Sequence, residues 1–332
     1  MVSQRIKVFL AIFLAAAVAF SFLLMDTPPS KEWKPTNVIV PKGSRSSEVA
    51  RLLEGEGVLA HPLVFRALVL ATMSGRSLKF GEYAFQNPPS TVEVWRKLYR
   101  GEVARYSVLV PEGSNLYDIA MILDELYLAD PEEFLETASS PDFLRRLNIP
   151  GKTAEGFLFP DTYLLDKSMS AEDIIDVMAR RFRRKFLPEW EELARKDGFS
   201  LLEIVTIASI IEKETGISDE GPLVSAVIRR RLSLKMPLQM DPTVVYGLRR
   251  FGAELTKKDL RTQSPYNSYL NRGLPPGPIA NPGLSAIKAA LFPADTDYLY
   301  FVSRNDGSHK FSRTLDEHNL GVVSFRKGET PK

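Results

Sequence analysis

Eighteen consecutive residues near the start of the chain, Val8 to Met25, contain a single polar side chain, Ser21. As an α-helix this run reaches roughly 27 Å, close to the hydrocarbon thickness of a bilayer. Arg5 and Lys7 precede it and Asp26 follows it. The positive-inside rule then puts the short N-terminus in the cytoplasm and everything after Asp26 on the far side. Ala17-Val18-Ala19 offers the small residues of a signal-peptidase site, but the apolar run continues six residues past it. That length suits an uncleaved anchor better than a cleaved leader. No second long apolar run occurs in the 332 residues. The expectation is a single-pass protein, in a bacterium one of the inner membrane, with its large portion on the periplasmic or extracytoplasmic side.

Composition narrows what the exported portion can do. At about 150 residues per domain the length suggests two compact units. With 44% hydrophobic and 25% charged residues, the chain has ample material for a core. A net charge of +2 is too balanced for the basic footprint of a nucleic-acid binder, so no nucleic-acid partner is expected. The absence of cysteine removes disulfides, thiolate metal sites and Cys nucleophiles together. Only three histidines occur, His61, His309 and His318, too scattered for a metal centre. Chemistry must come from carboxylates, hydroxyls, amides, Lys or Arg, and no cofactor is expected.

Residues 1–25 thus read as cytoplasmic terminus and transmembrane anchor, and 26–36, with prolines at 28, 29 and 35, as a stiff linker. Beyond it lies an internal repeat. Val38-Ile-Val-Pro-Lys-Gly-Ser44 returns as Val108-Leu-Val-Pro-Glu-Gly-Ser114, and Val49-Ala50 and Leu53 return as Ile119-Ala120 and Leu123. Each copy reads as a strand, a turn at Gly43 or Gly113, and an amphipathic helix capped by a hydroxyl residue. The first copy, extended over 37–105, resembles a LysM module, the small βααβ fold that binds N-acetylglucosamine-containing glycans. The remainder, 106–325, reads as a mixed α+β catalytic domain with a substrate groove, and 326–332 as a tail.

One helix in that domain carries most of the chemical interest. Ser200-Leu-Leu-Glu203 is a capping box, and the helix runs on through Ile204 to Glu212-Lys-Glu214. At 100° per residue Leu201, Val205, Ala208 and Glu212 share one stripe, while Glu203, Thr206, Lys213 and Glu214 lie opposite. Glu212 is then the carboxyl expected on the buried stripe. A buried carboxyl stays protonated unless paired, which is what a glycosidic leaving oxygen needs. The helix alone leaves open a structural glutamate bonded to an Arg or a backbone amide. Glu155 in the loop through Tyr163, Gln239 and Asp241 before the next helix, and Tyr266, Asn267 and Tyr269 in a later loop supply carboxylates, amides and aromatic faces suited to N-acetylated sugars. A Gly/Pro-stiffened loop, Arg272 to Gly283, follows.

These motifs together resemble one family. Glu155-Gly156 with Phe159-Pro-Asp-Thr-Tyr163, Ala208-Ser-Ile-Ile-Glu-Lys-Glu-Thr215, Gln239 with Asp241-Pro-Thr-Val, Tyr266-Asn267 with Tyr269, and Gly273-Leu-Pro-Pro-Gly277 stand in the order found in YceG-like endolytic murein transglycosylases. The resemblance covers about residues 37–322. It implies a lyase that cuts the MurNAc–GlcNAc bond of nascent peptidoglycan, leaves a 1,6-anhydro end and stops strand elongation. It also implies glycan strands as substrate, a membrane anchor, and room for a peptidoglycan synthase as partner. It assigns the catalytic role to the glutamate opening the Glu-Lys-Glu-Thr motif, here Glu212. Glu214 lies about 200° round the helix from it, so the two cannot flank one sugar as a hydrolase pair would. A hydrolytic muramidase would need Asp241 or Glu155 opposite Glu212. A non-catalytic wall-binding scaffold would leave Glu212 structural.

Overall fold

The computed structural model describes residues 2–28, 33–72, 78–304 and 306–326. Linker residues 29–32 and tail residues 327–332 therefore lie outside the described residues. The architecture is mixed α+β, mostly helical, with three two-stranded sheets among the described residues. The chain divides into two compact units, Met1–Tyr106 with Leu164–Met169, and Ser107–Tyr163 with Ser170–Lys332.

The first unit begins with α1 (Val2–Met25), whose segment Ile6–Met25 has a mean hydropathy of 2.7 and is long and apolar enough to cross a membrane. Then follow β1 (Thr36–Val40), α2 (Ser46–Gly55), α3 (Pro62–Thr72), β2 (Gly81–Phe85) and α4 (Thr91–Arg100). β1 and β2 pair antiparallel, Thr36 opposite Phe85 and Val40 opposite Gly81. Strand alternation turns Val38 and Val40 inward, and helical spacing turns Val49, Ala50 and Leu53 of α2 and Val94 and Leu98 of α4 onto the same core. The excursion Leu164–Met169 is held by Lys167, whose ammonium lies 3.2 Å from the buried Glu82 carboxylate. Glu82 also accepts from Tyr106 at 2.6 Å and Asn37 at 3.0 Å, so its charge is fully paired.

The chain passes into the second unit within β3 (Tyr106–Leu109), and between β3 and β4 (Thr162–Leu165) lie α5 (Leu116–Glu125), α6 (Pro131–Thr137) and α7 (Pro141–Arg146). It continues with α8 (Ala171–Lys185), α9 (Pro188–Lys196), α10 (Leu201–Glu214), α11 (Gly221–Ser233), α12 (Asp241–Gly247) and α13 (Leu284–Leu291). It closes with the β5 (Tyr300–Ser303) and β6 (His309–Ser312) hairpin and α14 (Leu315–Arg326).

Both repeat copies form strand, turn and helix. Gly43 and Gly113 take φ of +83° and +75°, values a β-carbon would disfavour. The helix caps differ from expectation by one residue. Arg45 and Asn115 occupy the N-caps rather than Ser44 and Ser114, and Asn115 Oδ1 accepts from the Tyr117 and Asp118 amides. Asn bears the same short acceptor as Ser, so the capping chemistry survives in the second copy, whereas in the first the Arg45 amide donates to Glu48 and no side chain caps the helix.

α10 is the central helix of the second unit, packed by α9, α11, α12 and α13. Its capping box forms as the sequence indicates, Glu203 accepting the Ser200 amide at 2.8 Å. Every residue from Ile204 to Ile211 is buried. The two polar ones are satisfied locally. Thr206 donates to the Leu202 carbonyl and Ser209 to that of Thr206, while Ser209 Oγ accepts the Ile279 amide. Along the helix only Glu203 and Lys213 are exposed, so Glu212 and Glu214 are both part-buried.

Candidate functional site

The two glutamates at the end of α10 go to different places. Glu212 Oε2 accepts the Gly283 amide at 2.9 Å, in a pocket of about 70 Å³ that it shares with Glu112, Thr215 and Ser285. Gly283 is the N-cap of α13, so the Glu212 carboxyl sits where a helix start favours negative charge. Burial raises its pKa, as does Glu112, while the Gly283 amide and Lys213 pull it back. This is the backbone-amide arrangement that the helix pattern left open.

Glu214 opens instead into a cleft of about 380 Å³ together with Arg231, Gln239, Asp241, Tyr269, Tyr300 and His318. Desolvation pushes its pKa up to about 8, Asp241 adds to the rise, and Arg231 opposes it. Among the described residues no side chain or amide hydrogen-bonds it. The carboxyl is thus part-buried and without a donor to hold it ionised.

The cleft walls come from five stretches of chain besides the end of α10. α11 turns Val224, Val227, Ile228 and Arg231 inward, while Arg230 in the same basic run is exposed and Arg229 part-buried. Arg231 is 7% exposed; it donates to the Leu299 and Leu238 carbonyls and lies over the Tyr300 ring. Gln239 takes φ +52° in a tight turn whose amide donates to the Ser268 carbonyl, and Asp241 starts α12 immediately after. Tyr269 Oη donates to Asp241 Oδ1 at 2.6 Å. His318 stacks on Tyr300, with its Nδ1 buried and without a hydrogen-bond partner. Burial and the charge of Arg231 hold its pKa below the usual imidazole value. A second cleft of about 460 Å³, lined by Asn115, Asp118, Lys213, Tyr246 and Phe251, shares Asp241 with the first.

Of the residues singled out from sequence, Gln239, Asp241 and Tyr269 therefore gather at the Glu214 cleft. Tyr266 packs on Tyr246 at 4.9 Å, outside both clefts. Asn267 is fully buried, donating to the Leu260 and Thr262 carbonyls and accepting the Tyr269 amide, so it shapes the loop and is closed to a ligand. Glu155 is 1% exposed and accepts from the Leu116 amide, Tyr246 Oη and Asn281 Nδ2, each at 3.0 Å. It joins α5, α12 and the 281 loop and does not reach substrate space. The sequence reading gave no cleft role to Arg231 or Tyr300 and placed Glu214 on the helix side away from Glu212. For Arg231 the signal was present, its i, i+3, i+7 spacing from Ile228 and Val224.

The burial of Glu155 gives a testable pH dependence. Burial pushes its pKa up to about 8 despite the donors around it, against about 4.3 in an unfolded chain. Between those values the folded state binds the extra proton, so stability is full at low pH and declines as pH rises towards 8. The slope is at most about 1.4 kcal/mol per pH unit. Glu155→Gln should flatten it, seen as a smaller drop in melting temperature between pH 5 and pH 8.

Residues 38–323 match the YceG-like family. The chain belongs to the YceG-like family. It is 32% identical over 325 residues to the endolytic murein transglycosylase of Bacillus subtilis (strain 168), covering 92% of this chain and 89% of that one. It is 30% identical over 322 residues to the endolytic murein transglycosylase of Streptococcus pneumoniae D39, with 87% of this chain and 58% of the pneumococcal one covered. The crystal structure of a yceG-like protein from Listeria monocytogenes superposes with a TM-score of 0.59 at 32% identity, over 86% of this chain and 99% of that one. Family membership thus extends across the second unit and from β1 onward through the first.

Proposed function

We propose that this YceG-like protein is a membrane-anchored lytic transglycosylase that cuts glycan strands of nascent peptidoglycan outside the cytoplasm, with Glu214 as its general acid. The observation that carries the assignment of the acid is the Glu214 carboxyl, desolvated and without a hydrogen-bond donor, opening into a cleft beside Gln239, Asp241 and Tyr269. The family and its named relatives support the substrate class.

In this reading protonated Glu214 donates to the glycosidic oxygen between MurNAc and GlcNAc as the C1–O bond breaks. The resulting carboxylate takes the proton of the sugar's own C6 hydroxyl while O6 closes on C1, giving the 1,6-anhydro end and regenerating the acid. One carboxyl serves both steps. Arg231, fixed on two backbone carbonyls, offers positive charge that steadies Glu214 when it ionises. Gln239 and Tyr269 offer an amide and an aromatic ring to the acetamido sugar. The first unit, with its β-α-α-β order, serves as a LysM-like holder of the strand, and α1 keeps the enzyme at the membrane.

Asp241 favours one second reading. It is exposed, shares the cleft with Glu214 and raises its pKa, so a hydrolytic muramidase with Asp241 as second carboxylate is chemically complete. Mass spectrometry of products from purified glycan strands separates the two. Anhydro ends are expected, reducing ends would establish hydrolysis, and uncut strands would leave only binding.

Tyr269→Phe tests the cleft itself. Losing the 2.6 Å bond to Asp241 should lower kcat/KM about tenfold, with little change in melting temperature because the ring remains.

A further inference from the structure

α3 carries one charged residue, Arg66, in eleven. Its inner side meets the core of the first unit through Phe65 and Val69, which are 0% and 7% exposed. Its outer side is apolar apart from Arg66. Leu63 is 74% exposed and Leu70 is 70% exposed, one above the other at i, i+7, with Ala67 and Ala71 beside them and exposed too. A helix apolar on both faces belongs in a core or in lipid. At eleven residues and roughly 16 Å α3 is too short to span a bilayer.

What lies next to this face names the occupant. The C-terminal end of α1 meets α3 and α4 directly. Asp26 Oδ2 lies 2.8 Å from His61 Nε2, immediately before α3, and Thr91 of α4 donates to the Leu23 carbonyl at 3.5 Å. Where α1 leaves the bilayer, the start of α3 is therefore held against it. Arg66 borders the Leu63–Leu70 stripe and is exposed, placed to meet anionic phospholipid headgroups.

We propose that the outer face of α3, Leu63, Arg66, Ala67 and Leu70, is a membrane-seating surface that inserts into the headgroup and upper acyl region of the leaflet from which α1 emerges. It would hold the first unit down on the bilayer instead of leaving it to swing on the anchor. The inference rests on the anchor reading of α1.

The chain has no cysteine, so single cysteines carry an environment-sensitive fluorophore without background. Full-length protein would be labelled separately at Leu63→Cys, Leu70→Cys, Glu54→Cys on the exposed side of α2, and Phe13→Cys within α1. It would then be reconstituted in vesicles of phosphatidylcholine and phosphatidylglycerol. Labels at Leu63 and Leu70 should lose about half their emission to a shallow lipid-borne nitroxide, as expected for insertion of a few ångströms, while the Glu54 label responds only to aqueous iodide. Quenching of Phe13 by a deep nitroxide with Leu70 open to iodide overturns the seating and leaves the anchor intact. A Phe13 label untouched by either nitroxide overturns the anchor and the seating together. Leu63 and Leu70 shielded from both iodide and nitroxide would mean a protein covers the face, which also overturns the proposal.

Discussion

Glu214→Gln should abolish formation of 1,6-anhydro ends, lowering the rate about a thousandfold or more, the upper range for removal of a general acid. The amide keeps the size and polarity of the side chain but can neither deliver nor retrieve a proton. The fold should tolerate it, because it replaces a desolvated carboxyl by a neutral group, and the variant should still bind glycan strands. Glu212→Gln is the informative partner. It weakens at most the bond from the Gly283 amide, costing about 1 kcal/mol, and activity should stay within about tenfold of the parent. The wild-type pH profile carries the same signature, since an acid with its pKa near 8 must be protonated to act. Activity should therefore hold through neutral pH and fall as pH rises past 8. Steady-state rates with mass-spectrometric product detection check all three. An inactive but folded Glu212→Gln beside an active Glu214→Gln would return the chemistry to Glu212.

Gly156→Ala should be the most damaging small change to the scaffold. Gly156 has φ of +85°, and a β-carbon there would lie 2.5 Å from Pro278 Cγ and 2.7 Å from Val205 Cγ1. Neither neighbour can swing aside, Pro278 being a ring in a stiff loop and Val205 part of the buried central helix. Overpacking and left-handed strain together should cost about 3 kcal/mol or more, a fall of about 10 °C in melting temperature for a unit of this size. Activity should fall with it, because Val205 lies on the helix that presents Glu214. Gly273→Ala is the control. Its φ is +86° but nothing lies within 4 Å of the added carbon, so only the backbone strain of about 1 kcal/mol remains. Calorimetry or thermal melting by circular dichroism distinguishes the two, and equal shifts would show that packing around Gly156 is softer than its contacts indicate.

The clearest contrast between sequence and structure lies in α10. Local chemistry was enough to start it, through Ser200 and Glu203, and to extend it to Glu214. The choice between its two carboxyls was not local. An amphipathic reading assumes one face in water, which sent Glu214 to solvent and Glu212 to the interior. With α9, α11, α12 and α13 packed on the helix, both carboxyls are part-buried, and what differs is the neighbour each one meets. Gly283 is 71 positions away from Glu212. Arg231 and Asp241, the charges that act on Glu214, stand on α11 and α12.

The same division runs through the other candidate residues. Asn267 and Glu155 have the chemistry of sugar ligands, and their types alone could not say that their hydrogen bonds are used up inside the fold. Gln239, Asp241 and Tyr269 have similar chemistry and open into the cleft. By itself the sequence determined the apolar N-terminal helix, the two strand-turn-helix copies, the family and the Ser200–Glu203 capping box, because each depends on periodicity or on residues a few positions apart. Only the tertiary structure decided which carboxyl lacks a hydrogen-bond donor, since desolvation and charge pairing are set by groups that the chain brings together from positions far apart in sequence.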